Sequence, residues 1–302
     1  MRSFLVKFFV AIIVVAMVIL LALLFRKKDK PILPPPPSPV IIKEVNPRHR
    51  VIGKSVEGRN IDAYTYSPAG KVYSGSGAKH LVFVGGIHGG YEWNGVLLAY
   101  KLMDYLEANP GFIPKNLTVT IIPSANPDGV YKVIGKEGRF SVTEVPTEEE
   151  MTIPGRFNAN KVDLNRNFDC KWQAGGIWKG NKVSAGSAVF SEPEARALRD
   201  FVLENKPSSV IFWHSQANAV YASECEKGIL PETTKIMKTY SQASGYPAVD
   251  TFTAYQVTGD AGDWLASIGI PAVTVELKTH TTIEWEQNLA GIRALFESYK
   301  NN

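Results

Sequence analysis

The stretch HLVFVGGIHGGYEWNGVLLAYKLMDYL, His80–Leu106, changes period in its middle. The run from His80 to Gly85 is short and apolar and ends in Gly85-Gly86, which predicts a buried strand. From Glu92 onward Val96, Leu97, Tyr100 and Met103 recur at helical spacing, and Asn109-Pro110 closes the pattern. The alternation continues downstream. Leu117–Ile122 (LTVTII) reads as a strand stopped by Pro123, Glu192–Glu204 as a helix, and Ser209–Trp213 (SVIFW) and Ala272–Val275 (AVTV) as buried strands. Ile283–Lys300 reads as a final amphipathic helix. Short apolar strands alternating with helices predict a single α/β domain with a central mixed, mostly parallel β-sheet flanked by helices.

Polar residues follow each of these strands: His88 after the first, Asn126 and Asp128 after the second, His214 after the third and Glu276 after the fourth. In open α/β sheets ligands bind outside the carboxyl ends of the strands, so these side chains are expected to converge on one crevice. Each alone is an ordinary strand-end residue. Recurrence at four strand ends, in a chain with five histidines, points to a site. Two histidines and a carboxylate form a tetrahedral zinc site with one position left open, and His88, Glu92 and His214 fit that set. Such a zinc acidifies water and polarises a carbonyl, leaving proton transfer to a nearby carboxylate, for which Glu276 is available. Cys170 and Cys225 lack the CxxC spacing of metal ligands, and the chain has no G-x-S-x-G elbow of a serine hydrolase.

The amino-terminal end reads differently. Residues 8–25, FFVAIIVVAMVILLALLF, contain no polar side chain, and about 20 such residues cross a hydrocarbon core, so a single transmembrane helix is expected. Residues 31–39, PILPPPPSP, form an extended spacer in polyproline II geometry. The expected plan is a membrane anchor over 1–30, a Pro-rich linker over 31–45 and a catalytic domain over 46–302. Basic residues flank both sides of the apolar run, and the spacer favours an anchored domain on the extracytoplasmic face. The net charge of the 302 residues is +4, but the first thirty carry +5, so the body is near neutral. A near-neutral body without a basic stripe excludes nucleic acid as the expected partner. Cys170 and Cys225 allow one intramolecular disulfide or two buried thiols; the oligomeric state stays open.

The motifs taken in order resemble the M14 zinc carboxypeptidases. They are HGGYE at His88–Glu92, NPDG at Asn126–Gly129, VDLNRNF at Val162–Phe168 and FSEPEARAL at Phe190–Leu198. The strand-end His214, YQVTGDAGDW at Tyr255–Trp264 and VTVEL at Val273–Leu277 complete the series. The resemblance spans about Val51 to Tyr299 and implies one Zn2+ per chain held by His88, Glu92 and His214, with Glu276 as general base and acid. It implies that Asn165 and Arg166 clamp the terminal carboxylate of a peptide substrate, that Tyr255 closes over the bound residue, and that an arginine stabilises the oxyanion. Arg156 is the choice for that arginine and Arg139 its competitor. Two departures stand out: three residues rather than two separate His88 from Glu92, and Tyr91 occupies a position where the family often has arginine.

By the same resemblance Ala254, Val257, Asp260, Gly262 and Thr274 form the specificity pocket. Asp260 would either pair with a basic terminal side chain, such as Lys, Arg or the free amine end of diaminopimelate, or cap a local turn. The expected function is a membrane-anchored zinc metallocarboxypeptidase acting on peptides with a free terminal carboxylate, including cell-wall stem peptides. The alternatives are a zinc amidohydrolase of small N-acyl amino acids and a catalytically silent peptide-binding module.

Overall fold

The computed structural model describes residues 13–21, 48–68 and 79–300. The chain divides into two units, Met1–Lys43 and Glu44–Asn302, each taken by itself. In the first, α1 covers residues 13–21. Among the described residues no helix is long and apolar enough to cross a membrane. This corrects the expected transmembrane helix, and with it the single-pass anchoring, the membrane as a partner and the placement derived from them. The rest of the apolar run and the proline spacer lie outside the described residues.

The second unit is a mixed α/β domain, as the alternation of apolar runs predicts. Its strands are β1 (Arg48–Lys54), β2 (Asn60–Tyr66), β3 (Lys79–Val84), β4 (Leu117–Ile122), β5 (Gly175–Trp178), β6 (Asn181–Ser184), β7 (Ser209–Ser215) and β8 (Ala219–Ala222). β9 (Glu224–Cys225), β10 (Gly228–Ile229), β11 (Ala248–Val249) and β12 (Ala272–Leu277) complete them. The helices are α2 (Trp93–Ala108), α3 (Pro127–Ile134), α4 (Glu149–Thr152), α5 (Pro193–Asn205), α6 (Pro231–Ser244), α7 (Ala261–Ser267) and α8 (Trp285–Lys300). Eight strands form one sheet in the order β1-β2-β4-β3-β7-β12-β8-β11. β4, β3, β7 and β12 run parallel at its centre, while β2 meets β4, and β8 meets β12, antiparallel.

Every residue of β4 and β7 is buried, which explains their continuous apolar runs: central parallel strands are covered on both faces. On one face Leu81, Phe83, Ile211 and Trp213 pack against Leu98 and Leu102 of α2 and Ile292 and Phe296 of α8, with Phe83 and Trp213 stacked at 5.1 Å. On the other, Val82, Val84, Val210 and Phe212 pack against Leu198 and Phe201 of α5 and Trp264 and Leu265 of α7. The alternation of partners along each strand follows from the two-residue period of the pleat. This double-sided core holds the carboxyl ends of β3, β7 and β12 side by side, in a register that pairs Glu276 with His214.

Candidate metal centre and substrate cleft

The turn after β3 delivers His88 and Glu92. Gly89 has φ +46°, and a Cβ there would lie 2.5 Å from the Gly155 carbonyl oxygen, so glycine is required for both conformation and space. Gly129 packs as closely, since its Cβ would fall 2.3 Å from the same oxygen. The glycine turn, the start of α3 and the segment leading to Arg156 thus touch backbone to backbone. Tyr91 is buried in the wall beside them. Glu92 is the N-cap residue of α2. His214 is the penultimate residue of β7, so it and Glu276 lie within their strands rather than after them.

The three expected ligands come together, all buried, with their ligating atoms within 4.8 Å of one another. His88 Nδ1 lies 2.7 Å from Glu92 Oε1, and His214 Nδ1 lies 3.0 Å from Glu92 Oε2. Burial alone would push the Glu92 carboxyl up, but His88 and His214 together hold it well below the usual range. His214 is likewise raised, the pull of Glu92 exceeding the opposing effect of burial. Two imidazole nitrogens and a carboxylate, buried and facing one another, are a donor set that fits Zn2+.

Asp163 was not singled out in the sequence, although it lies within the quoted VDLNRNF motif. It is fully buried, with Oδ1 3.2 Å from His88 Nε2 and Oδ2 accepting from Arg156 Nη2 at 2.8 Å. Burial opposes its charge, but Arg156, Arg166 and His88 hold its carboxyl well below the normal range. A carboxylate on the far nitrogen of a ligating histidine orients the ring and fixes its tautomer. Asp163→Ala is expected to weaken zinc binding roughly 10- to 100-fold, read by competition with a chelator.

The centre opens into a cleft of about 480 Å³. Arg156 lines it, buried, with its guanidinium 4.5 Å from the Trp178 ring centroid and Nη1 3.8 Å from Glu92 Oε1. Arg139 does not line it; that side chain pairs with Asp104 at 2.8 Å and covers Tyr100. Asn126 and Asp128 do not reach the cleft either, against expectation. Asn126 caps α3 by accepting from the Gly129 N–H at 2.9 Å, and Asp128 accepts from Ser55, the Glu57 N–H and Arg59. Short polar residues satisfying backbone and arginine donors are a local use of the strand end.

Asn165 and Arg166 line the cleft. Asn165 Oδ1 accepts from the Ala261 N–H at 3.0 Å, which fixes the amide and leaves its nitrogen for a ligand. Arg166 is buried, with Nη1 donating to the Asn165 carbonyl at 2.7 Å. Asp260 caps α7 by accepting from the Asp263 N–H at 2.9 Å, which is the turn-capping contact, and it also lines the cleft. The other expected wall residues, Ala254, Val257, Gly262 and Thr274, line the cleft too, as does Tyr255, which packs edge-on to Phe252 at 4.8 Å.

Two more acids join Asp260 there, Glu224 and Asp263, with Asp263 Oδ1 accepting from the Glu224 N–H at 2.8 Å. Burial, then the neighbouring charges of Asp260 and Glu224, push Asp263 up to about 9. A disulfide between Cys170 and Cys225, S–S 2.09 Å, ties the segment after Arg166 to β9 beside Glu224. Glu276 lines the cleft next to His214, its Oε2 accepting from the Ala217 N–H at 3.2 Å, and loss of water pushes its carboxyl up to about 7.

These features coincide with a family match: residues 47–287 fit the zinc carboxypeptidase model, Peptidase_M14. The chain belongs to the zinc carboxypeptidase family. It is 26% identical over 237 residues to gamma-D-glutamyl-L-diamino acid endopeptidase 1 of Lysinibacillus sphaericus, covering 71% of this chain and 58% of that protein. It is 28% identical over 131 residues to murein peptide amidase A of Escherichia coli K12, covering 40% of this chain and 50% of that one. The chain therefore spans about half the length of these curated relatives. Its fold is similar to murein-tripeptide amidase MpaA of E. coli O157, with TM-score 0.58 and 21% identity over 83% of this chain and 91% of that one. It is also similar to carboxypeptidase A of Helicoverpa armigera, with TM-score 0.61 and 21% identity over 84% and 69%.

Proposed function

We propose that this chain removes a carboxy-terminal residue bearing a second amine, lysine or a diamino acid such as diaminopimelate, from short peptides including cell-wall stem peptides. The observation that carries this reading is the grouping of Glu224, Asp260 and Asp263 in the cleft that also holds Asn165 and Arg166. Arg166 offers a planar fork to a carboxylate, and the charges of Asp260 and Glu224 suit an ammonium on the same residue, with Asp263 holding the Glu224 backbone beside them. The relatives whose names specify diamino acid and murein peptide bonds support the same substrate class.

His88, Glu92 and His214 would hold the zinc, which when bound supplies a Lewis acid to the scissile carbonyl and acidifies water. Glu276 takes the proton from the attacking water and returns it to the departing amine. Arg156 donates to the carbonyl oxygen as negative charge develops there. Asn165 and Arg166 fix the terminal carboxylate, so that the bond being cut lies one residue from the chain end. Tyr255, on the loop before α7, covers the bound terminal residue.

The test is mass spectrometry of a peptide panel containing lysine, diaminopimelate, apolar and acidic termini, incubated with the zinc-loaded chain and with Glu276→Gln. Release of single amine-bearing residues by the wild type alone is the expected result. Release of apolar termini at equal rates would sink the assignment of the pocket. Glu224→Gln is expected to lower kcat/KM for amine-bearing termini about tenfold while leaving apolar termini unchanged, as for loss of one charge-assisted contact.

A further inference from the structure

Beyond the zinc ligands, the base and the clamp, one cleft side chain has a polar atom without a role. Buried polar atoms normally have partners, and exceptions mark places that a ligand or water completes. Arg156 Nε, Arg166 Nε and His280 Nε2 are such exceptions here. The first two belong to groups that face the substrate in the proposed mechanism. His280, four residues after Glu276 and 91% buried, lines the same cleft and packs against Tyr91 at 4.5 Å.

The tautomer of His280 follows from its neighbours. Asn94 Nδ2 donates to the carbonyls of Thr279 at 2.6 Å and Thr282 at 3.0 Å, which orients its amide and leaves Oδ1 as an acceptor. Ser215 Oγ donates to that Oδ1 at 3.0 Å, so its hydroxyl proton is spent. The 2.7 Å contact between Ser215 Oγ and His280 Nδ1 then requires the ring to donate from Nδ1. Nε2 of the neutral ring is left as a bare acceptor. Burial lowers the basicity of His280, which keeps it neutral.

A bare acceptor is out of character with its surroundings. Donors stand nearby: the Arg156 guanidinium and the Lys179 ammonium, while the Glu149 carboxylate is already taken by Lys179 at 2.9 Å and by the Tyr91 hydroxyl. Substrate carbonyls find donors here, whereas a substrate N–H has few places to go. If the terminal residue is held by Asn165 and Arg166 as proposed above, the acyl side extends toward Arg156 and Tyr91, and His280 packs on that tyrosine at 4.5 Å. The first N–H on that side belongs to the residue that supplies the scissile carbonyl.

We propose that His280 Nε2 accepts a hydrogen bond from the amide N–H of the residue supplying the scissile carbonyl, with Ser215 and Asn94 fixing the ring as an acceptor. The assignment rests on the direction of binding set out above. It makes His280 a specificity residue for amide-linked acyl groups.

Two measurements test it. Nitrogen-15 NMR of the zinc-loaded protein is expected to show His280 protonated at Nδ1 and bare at Nε2; a proton on Nε2 overturns the proposal. The second compares two ligands, acetyl-alanyl-lysine and its analogue with an ester oxygen in place of the alanine N–H. Their affinities are measured by calorimetry on zinc-loaded Glu276→Gln and on the double variant Glu276→Gln/His280→Ala. The amide is expected to bind about tenfold more tightly than the ester in the first protein, and equally in the second. Adding His280→Gln, which restores an acceptor, is expected to recover part of the preference. A preference that survives His280→Ala overturns the proposal and leaves the functional reading intact. Failure of both ligands to bind overturns both.

Discussion

Glu276→Gln is expected to lower peptide hydrolysis by about 10²- to 10⁴-fold while zinc remains bound at one per chain. The size follows from the loss of a positioned proton acceptor and donor in a site whose remaining groups stay in place. Glutamine is isosteric, and the contact of the native carboxylate with the Ala217 N–H is one that an amide oxygen also makes. Glu276 lies in register with His214 but is not among the three grouped metal ligands, so its replacement does not remove a donor atom. The wild-type pH profile should carry the same signature. A base pushed up to about 7 is protonated and inactive below that value, so kcat/KM should rise as pH rises through it. A bound divalent cation favours the ionised carboxylate, which moves the midpoint of the zinc enzyme below 7. Metal content by atomic emission and initial rates from pH 5 to 8 check both parts. Retained activity in the glutamine variant would show that another group moves the proton.

How far the residues alone reveal this arrangement depends on what each element buries. β4 and β7 are covered on both faces, so their apolar runs are continuous and legible. β1 is largely exposed, RHRVIGK, and carries no such run; its place at the sheet edge is set by pairing with β2 rather than by its own composition. The β5–β6 hairpin, GGIW joined to NKVS, is equally silent, yet it places Trp178 over Arg156. His88, Glu92, His214 and Glu276 stand at the ends of legible strands or in the turn after one, and so could be read. Asp163 and His280 act through side chains that are distant in sequence, and only folding shows what they touch. Glu224 lies in a two-residue strand whose local sequence gives no periodic signal. The apolar amino-terminal run shows the opposite failure, since composition over-predicted a membrane span that the described helix does not supply.

Arg156→Ala is expected to cut kcat by about 10²- to 10³-fold with little change in KM, because the charge this side chain meets develops mainly in the transition state. Its surroundings hold it ready before substrate arrives. Asp163 fixes one end of the guanidinium at 2.8 Å, and the Trp178 face covers it at 4.5 Å, so little reorganisation is required during reaction. Arg156→Lys should recover only part of the loss, since an ammonium cannot hold Asp163 and a substrate oxygen in one planar fork. Asp163 also contacts His88, so part of the effect could arise through the metal. Zinc affinity separates the two causes: unchanged affinity with reduced kcat assigns the loss to charge stabilisation, whereas parallel losses assign it to the His88–Asp163 support. Arg139→Ala provides the contrast, because its ion pair with Asp104 is exposed and remote from the cleft. Exposed pairs contribute about 0–1 kcal/mol, so that variant should retain both activity and zinc. If Arg139→Ala instead lost activity while Arg156→Ala did not, the assignment of the oxyanion-stabilising arginine would be reversed.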